Sequence, residues 1–232
     1  MCIRDSVATL AVVSIVVGNV GALGQSSLKR IMAWSSVAQA GYMLAGVVVG
    51  TRLGLEATVF YLATYLVLNM AVFATIAARE RTEGLGDDIA SIRGLGARSP
   101  LYAGAMTVGV LGLAGIPATA GFIGKFALIN AAVEDGWAWL GVMIVIGSMI
   151  SLAYYLRIVA AMWMPAEAGT ALSTTTGRPA LAGGDAAEVR KPGWEVALVA
   201  LVFGLATVAL GVVPEPLFDL ASHAGNALQG LL

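Results

Sequence analysis

The chain has 232 residues, of which 59% are hydrophobic and only 12% charged, and its net charge is −1. Soluble domains carry roughly 25% charged residues, so a water-soluble globular fold is excluded, and the near-neutral balance gives no sign of nucleic acid as a partner. A single cysteine (Cys2) and a single histidine (His223) exclude a disulfide framework and any Cys-based metal or cluster site, so no metal centre is expected.

The first six residues, MCIRDS, are polar and stand outside the pattern that follows. No charged leader, apolar stretch and cleavage site follow in order, so they read as a junction segment, not as a signal peptide. Six apolar blocks come next, at 7–24, 31–50, 56–78, 101–134, 137–163 and 194–213. About 20 apolar residues cross a bilayer as a helix, so the expected fold is an all-α polytopic membrane protein of about six transmembrane helices. The loop at 79–100 holds four arginines. Residues 165–193 are low in complexity and are expected to form a flexible cytoplasmic loop. Residues 214–232 are expected as a C-terminal tail.

The fourth block is too long for one straight crossing: 34 residues make about 51 Å of helix. Basic residues accumulate in cytoplasmic loops, and this decides the count. With one crossing for 101–134, one side collects Lys29, Arg30, Arg79, Arg81, Arg93, Arg98, Arg157, Arg178, Arg190 and Lys191, and the other only Arg4 and Arg52. Two crossings would erase that asymmetry. Six spans follow, with the tail outside the cytoplasm. The tryptophans agree: Trp34, Trp163 and Trp194 fall near span ends on the basic side, Trp137 and Trp139 on the other, as an aromatic belt requires.

One crossing of 34 residues must contain non-helical chain, and GLAGIPATAGFIGK supplies it. Pro117 has no N–H, and its ring clashes with the preceding turn. Gly112, Gly115, Gly121 and Gly124 relax the backbone around it. The helix is therefore expected to break near Gly115 and Pro117. Broken helices mark ion sites in transporters. Lys125 lies eight residues after Pro117, and helical side chains lean toward the N-terminus, so its ammonium is expected to lean back toward the break. Burial and the positive end of the second half-helix would both act on its charge, which fits a lysine that exchanges its proton. An ionisable residue at membrane depth is a functional candidate by default; the competing reading is a lysine snorkelling to the interface.

Three polar stripes at helical spacing accompany it: Tyr61, Tyr65 and Asn69 on the third span, Ser35, Gln39 and Tyr42 on the second, and Ser148, Ser151 and Tyr155 on the fifth. They could hold a water file beside Lys125, or simply hydrogen-bond helix to helix, as polar residues do in bundles. No carboxylate lies deep in a span, and no nucleotide fingerprint or hydrolytic triad is present.

The stretches QSSLKRIMAWSSVAQAGYMLAGV (25–47) and LGLAGIPATAGFIGKFALI (111–129) resemble the antiporter-like membrane subunits of respiratory complex I, the proton-translocating NADH:quinone oxidoreductase. Lysine at 125, where the M type usually has glutamate, resembles the N type. So do SLAYYLRIVAAMW (151–163) and the absence of histidine near Tyr65. The resemblance covers residues 7–220. It implies a fourteen-span bundle of two inverted repeats, of which this chain would be the second repeat plus the last helix. Gln39 departs from the family, which commonly has histidine there. The resemblance further implies that Lys125 is the terminal lysine of a proton relay, and that Lys29, at a span's cytoplasmic end, serves topology or at most proton uptake. It implies partners in the lipid bilayer and in M-, L-, K- and J-like subunits, and a multi-pass location in a bacterial inner (plasma) membrane. NADH and quinone would be used by the whole complex, with no cofactor bound by this chain. A subunit of a multi-component sodium/proton antiporter and a structural scaffold with a tolerated lysine are the alternatives.

Overall fold

The computed structural model describes residues 2–83, 87–165 and 194–229. The described residues form nine α-helices and one 3-10 turn, with only an isolated bridge between Ser27 and Asp88. Helix α1 (Cys2–Leu23) and α2 (Leu28–Val49) make an antiparallel hairpin, and α3 (Arg52–Glu83) returns beside them. Ser27 caps α2 by accepting the Arg30 N–H through its hydroxyl, and Gly50 ends it in the left-handed conformation. The 3-10 turn (Ile89–Ile92) and the short α4 (Leu95–Arg98) lead to α5 (Pro100–Ala114), which starts on a proline where a missing N–H costs nothing. Next come α6 (Ala120–Glu134), α7 (Ala138–Trp163), α8 (Trp194–Val212) and α9 (Glu215–Gln229).

Five of these helices, α1, α2, α3, α7 and α8, are long and apolar enough to cross a membrane. The sixth crossing is the pair α5 and α6. Along α3, Val72 faces Gly109, Leu68 faces Gly112 and Tyr61 faces Gly124, so α3 runs antiparallel past both halves in turn. The two halves therefore continue one direction through the bundle, as the basic-residue count requires. The basic end is held together by polar contacts. Lys29 pairs with Glu80, Arg79 donates to Ser91, and Arg157 donates to the carbonyls of Leu23 and Gln25.

Two large apolar clusters fill the interior, beside a small third of Ala74, Ala105 and Ala200. One, toward the basic end, joins Leu28, Met32, Leu68, Val72, Met106, Val110 and Leu113. The other, toward the opposite end, joins Ile15, Ala45, Val48, Leu128, Ala131, Leu140 and Ile144. Lipid is as apolar as these side chains, so close packing and interhelical hydrogen bonds, not escape from water, hold the bundle together. Leu10, Val17, Leu66, Met149 and Leu205 point outward, as a lipid-facing surface requires.

Two expectations change in detail. Residues 2–6, set apart by their polarity, continue α1, and Arg4 donates to the Val49 carbonyl at 2.6 Å. Nothing in that segment breaks a helix, so hydropathy ended before the backbone did. Within the expected tail 214–232, residues Glu215–Gln229 form α9. Pro214 stops α8, and the apolar face of α9 docks on α3, where Phe218 stacks on Phe60 at 4.1 Å between ring centroids. The expected flexible loop falls, from residue 166 onward, outside the described residues.

Candidate functional site

The site begins with the break. Helix α5 ends at Gly115, whose φ of 85° belongs to the left-handed region that glycine enters freely. Its N–H bonds back to Leu111 and Gly112, and Ile116 N–H to Leu111, closing the helix end. Pro117 and Ala118 (φ 70°) carry the chain across, and Thr119 begins α6 with its hydroxyl on the Ile116 carbonyl at 2.6 Å. The halves meet so closely that a methyl on Gly121 would fall 1.8 Å from the Gly112 oxygen. Only glycine fits there.

A broken helix exposes the carbonyls of its first half. Lys125 answers two of them: its Nζ donates to Leu113 O at 2.8 Å and to Ala114 O at 3.0 Å. The side chain is 4% exposed, so the snorkelling alternative does not describe its position. It does lean back to the break. However, its ammonium meets the negative end of α5, not the positive end of α6 that the sequence suggested, because five residues of turn let the side chain reach past its own helix start. The face of Tyr42 lies 5.0 Å from Nζ, a second group favourable to a cation.

Gln39 ties this centre to α2 and α3. Its Nε2 donates to the same Leu113 carbonyl at 3.3 Å, and its Oε1 accepts from the Tyr61 hydroxyl. One rung toward the basic end, Tyr65 donates to Ser36 at 2.7 Å. Thus Lys125, Gln39, Tyr42 and Tyr61 come together around the break. Others on the stripes do not join by direct bonds. Ser35 bonds the Met32 carbonyl, Ser151 the Ser148 carbonyl, and Asn69 the Tyr65 carbonyl, all within their own helices. Tyr155 OH lies beside Ser35 and Gln39, and Ser148 Oγ beside Tyr42, each buried but outside hydrogen-bond geometry. Lys29 is far from this centre, in its ion pair with Glu80 at the basic end.

Sequence reasoning passed over two residues, Asn19 and Tyr154. Asn19 on α1 is fully buried, donates to Tyr42 OH at 3.1 Å and accepts from Tyr154 OH at 3.1 Å. It stands alone among apolar residues, so a search for stripes misses it. Its signal is a single amide in the middle of a span, which costs too much to bury unpaired.

The chemistry available is specific. An ammonium has three N–H donors and a neutral amine two. Two carbonyls are engaged, so both protonation states of Lys125 keep them satisfied, and the third proton is the one free to leave.

Fold and site define a polytopic helical membrane protein with a buried lysine at a broken helix. Residues 2–151 match the family described as NADH:quinone oxidoreductase/Mrp antiporter, TM. The chain belongs to that family. It is similar to NADH-quinone oxidoreductase subunit N of Salinispora arenicola (strain CNS-205), with 39% identity over 95% of this chain and 40% of the relative. It thus spans about two fifths of the length of the curated relatives it matches. Among solved structures, it is similar to a chain of the Mrp complex from a Dietzia species, with TM-score 0.82, 28% identity, and 97% of this chain and 47% of that one covered. It is also similar to a chain of respiratory complex I from Thermus thermophilus, with TM-score 0.71, 29% identity, and 93% and 45% covered.

Proposed function

We propose that this chain is the second repeat and last helix of an N-type subunit of a proton-translocating NADH:quinone oxidoreductase, and that Lys125 carries the proton. The observation that carries this reading is the buried Nζ held by the two carbonyls freed at the break. The similarity to subunit N relatives supports the choice of complex.

In this reading, a proton reaches Lys125 through the polar layer around Gln39 and Tyr61 and leaves it toward the outer side. The carbonyls of Leu113 and Ala114 and the Tyr42 ring support the ammonium while it is charged. After release, the amine still fills both carbonyls, so the site does not have to rearrange. NADH and quinone act in other subunits of the complex. M-, L-, K- and J-like subunits and the lipid of a bacterial inner membrane are the partners.

A specific observation favours a second reading. The overlay on the Mrp chain is closer than that on the complex I chain, 0.82 against 0.71 in TM-score. A multi-component sodium/proton antiporter would use the same buried lysine without a redox partner. The test uses inverted membrane vesicles carrying the complete subunit. Acidification that starts on NADH addition and needs no sodium supports the first reading. Acidification driven by a sodium gradient with no response to NADH replaces it with the second.

A further inference from the structure

We infer that Asn19 is a positioning residue for Lys125: by holding the Tyr42 hydroxyl, it fixes the aromatic face against which the ammonium rests. The inference rests on the reading of Lys125 as the proton carrier.

Asn19 is 0% exposed, and its amide is fully engaged. Nδ2 donates to Ile15 O at 2.8 Å and to Tyr42 OH at 3.1 Å, and Oδ1 accepts from Tyr154 OH at 3.1 Å. The bond to Ile15 O, one turn back on the same helix, locks the rotamer. The amide is therefore a fixed bracket on α1, with one arm on α2 and one on α7.

Tyr42 is the arm that matters for the site. A tyrosine held only at Cβ can change its χ1 well and carry the whole ring away. Holding the hydroxyl at the far end pins the ring axis, so the ring cannot swing to another staggered position. The ring centroid is then 5.0 Å from Lys125 Nζ. Helix α7 closes the bracket by backbone proximity. A methyl on Gly147 would fall 2.6 Å from Tyr42 OH, 3.1 Å from Asn19 Nδ2 and 2.5 Å from Ile15 Cγ2. The competing account is ordinary interhelical adhesion, in which Asn19 holds α1 to its neighbours and the tyrosine is incidental. The two differ in one respect. Adhesion acts on how much complex assembles, whereas positioning acts on the protons pumped per NADH once complex content is matched.

The experiment is a double-mutant cycle in the complete subunit within its membrane complex, reading protons pumped per NADH oxidised at matched complex content. Asn19→Leu and Tyr42→Phe are each expected to lower that ratio about three- to tenfold, on the scale of one buried hydrogen bond. The double variant is expected to be no worse than either single one. Losses that multiply in the double variant overturn the inference and leave Asn19 as adhesion. Should Asn19→Leu fail to assemble, Tyr42→Phe, which deletes one oxygen, still decides: an unchanged ratio overturns the inference, and the expected fall supports it. Lys125→Ala is run alongside. Full pumping by Lys125→Ala removes the carrier reading and this inference with it. Loss in Lys125→Ala with full pumping in both Tyr42→Phe and Asn19→Leu removes this inference alone.

Discussion

Gly121→Ala tests whether the close meeting of the two half-helices is what delivers Lys125 to its carbonyls. The added methyl would start 1.8 Å from Gly112 O and 2.7 Å from Gly112 C, and both atoms are helical backbone that cannot swing aside. An ordinary C···O contact is roughly 3.3 Å, so α5 and α6 must part by about 1.5 Å. The Lys125 bonds to Leu113 O and Ala114 O, now 2.8 and 3.0 Å, would stretch beyond hydrogen-bond range. Overpacking costs about 1–3 kcal/mol, and each charged hydrogen bond about 1.5–3 kcal/mol. Partial relaxation offsets some of this, so the expected loss is about 3–6 kcal/mol. The assay is heat-induced loss of the assembled complex, with pumping read on the fraction that assembles. Gly104→Ala is the control: nothing lies within 4 Å of its methyl, and alanine favours a helix by roughly 0.5–1 kcal/mol. Gly121→Ala melting together with Gly104→Ala, with pumping intact, would refute the reasoning.

Two further outcomes follow from the same geometry. Gly115→Ala places a side chain at φ 85° and a methyl 3.0 Å from Lys125 Cδ; the backbone alone costs about 1–2 kcal/mol, and an unchanged melting temperature would contradict the capped break. Lys29→Ala removes an ion pair whose partners are 34% and 11% exposed. Such pairs near the surface contribute about 0–1 kcal/mol, so complex content and pumping should stay within about twofold of the parent, and a larger fall in pumping would make Lys29 part of the proton path.

Much of this site was legible in the chain because the strongest signals were violations of what a membrane helix permits. Pro117 and Gly115 within an overlong apolar block announced the break, and Lys125 beside them announced a charge that needs partners. The basic-residue asymmetry gave the number of crossings, since it depends on loops and not on side-chain packing. What stayed hidden depended on which helices touch. Ser148, Ser151 and Tyr155 make a tidy stripe, yet the residue of α7 that reaches Asn19 is Tyr154, about 100° around the helix from Tyr155 and facing α1. The end of the dipole that Lys125 meets was also misjudged, because spacing along α6 says nothing of where α5 stops. Helix α9 was missed for a similar reason: its apolar face has meaning only once α3 is beside it.

The measurement closest to the central claim is protons pumped per NADH oxidised by the complete subunit carrying Lys125→Ala, in vesicles where assembly has been verified. Assembly should survive, since Leu113 O keeps its bond from Gln39 and the cost of burying an ammonium disappears. The account predicts that the ratio falls, and that Lys125→Arg does no better, because a guanidinium cannot release its proton. A ratio equal to the parent's in Lys125→Ala would contradict it.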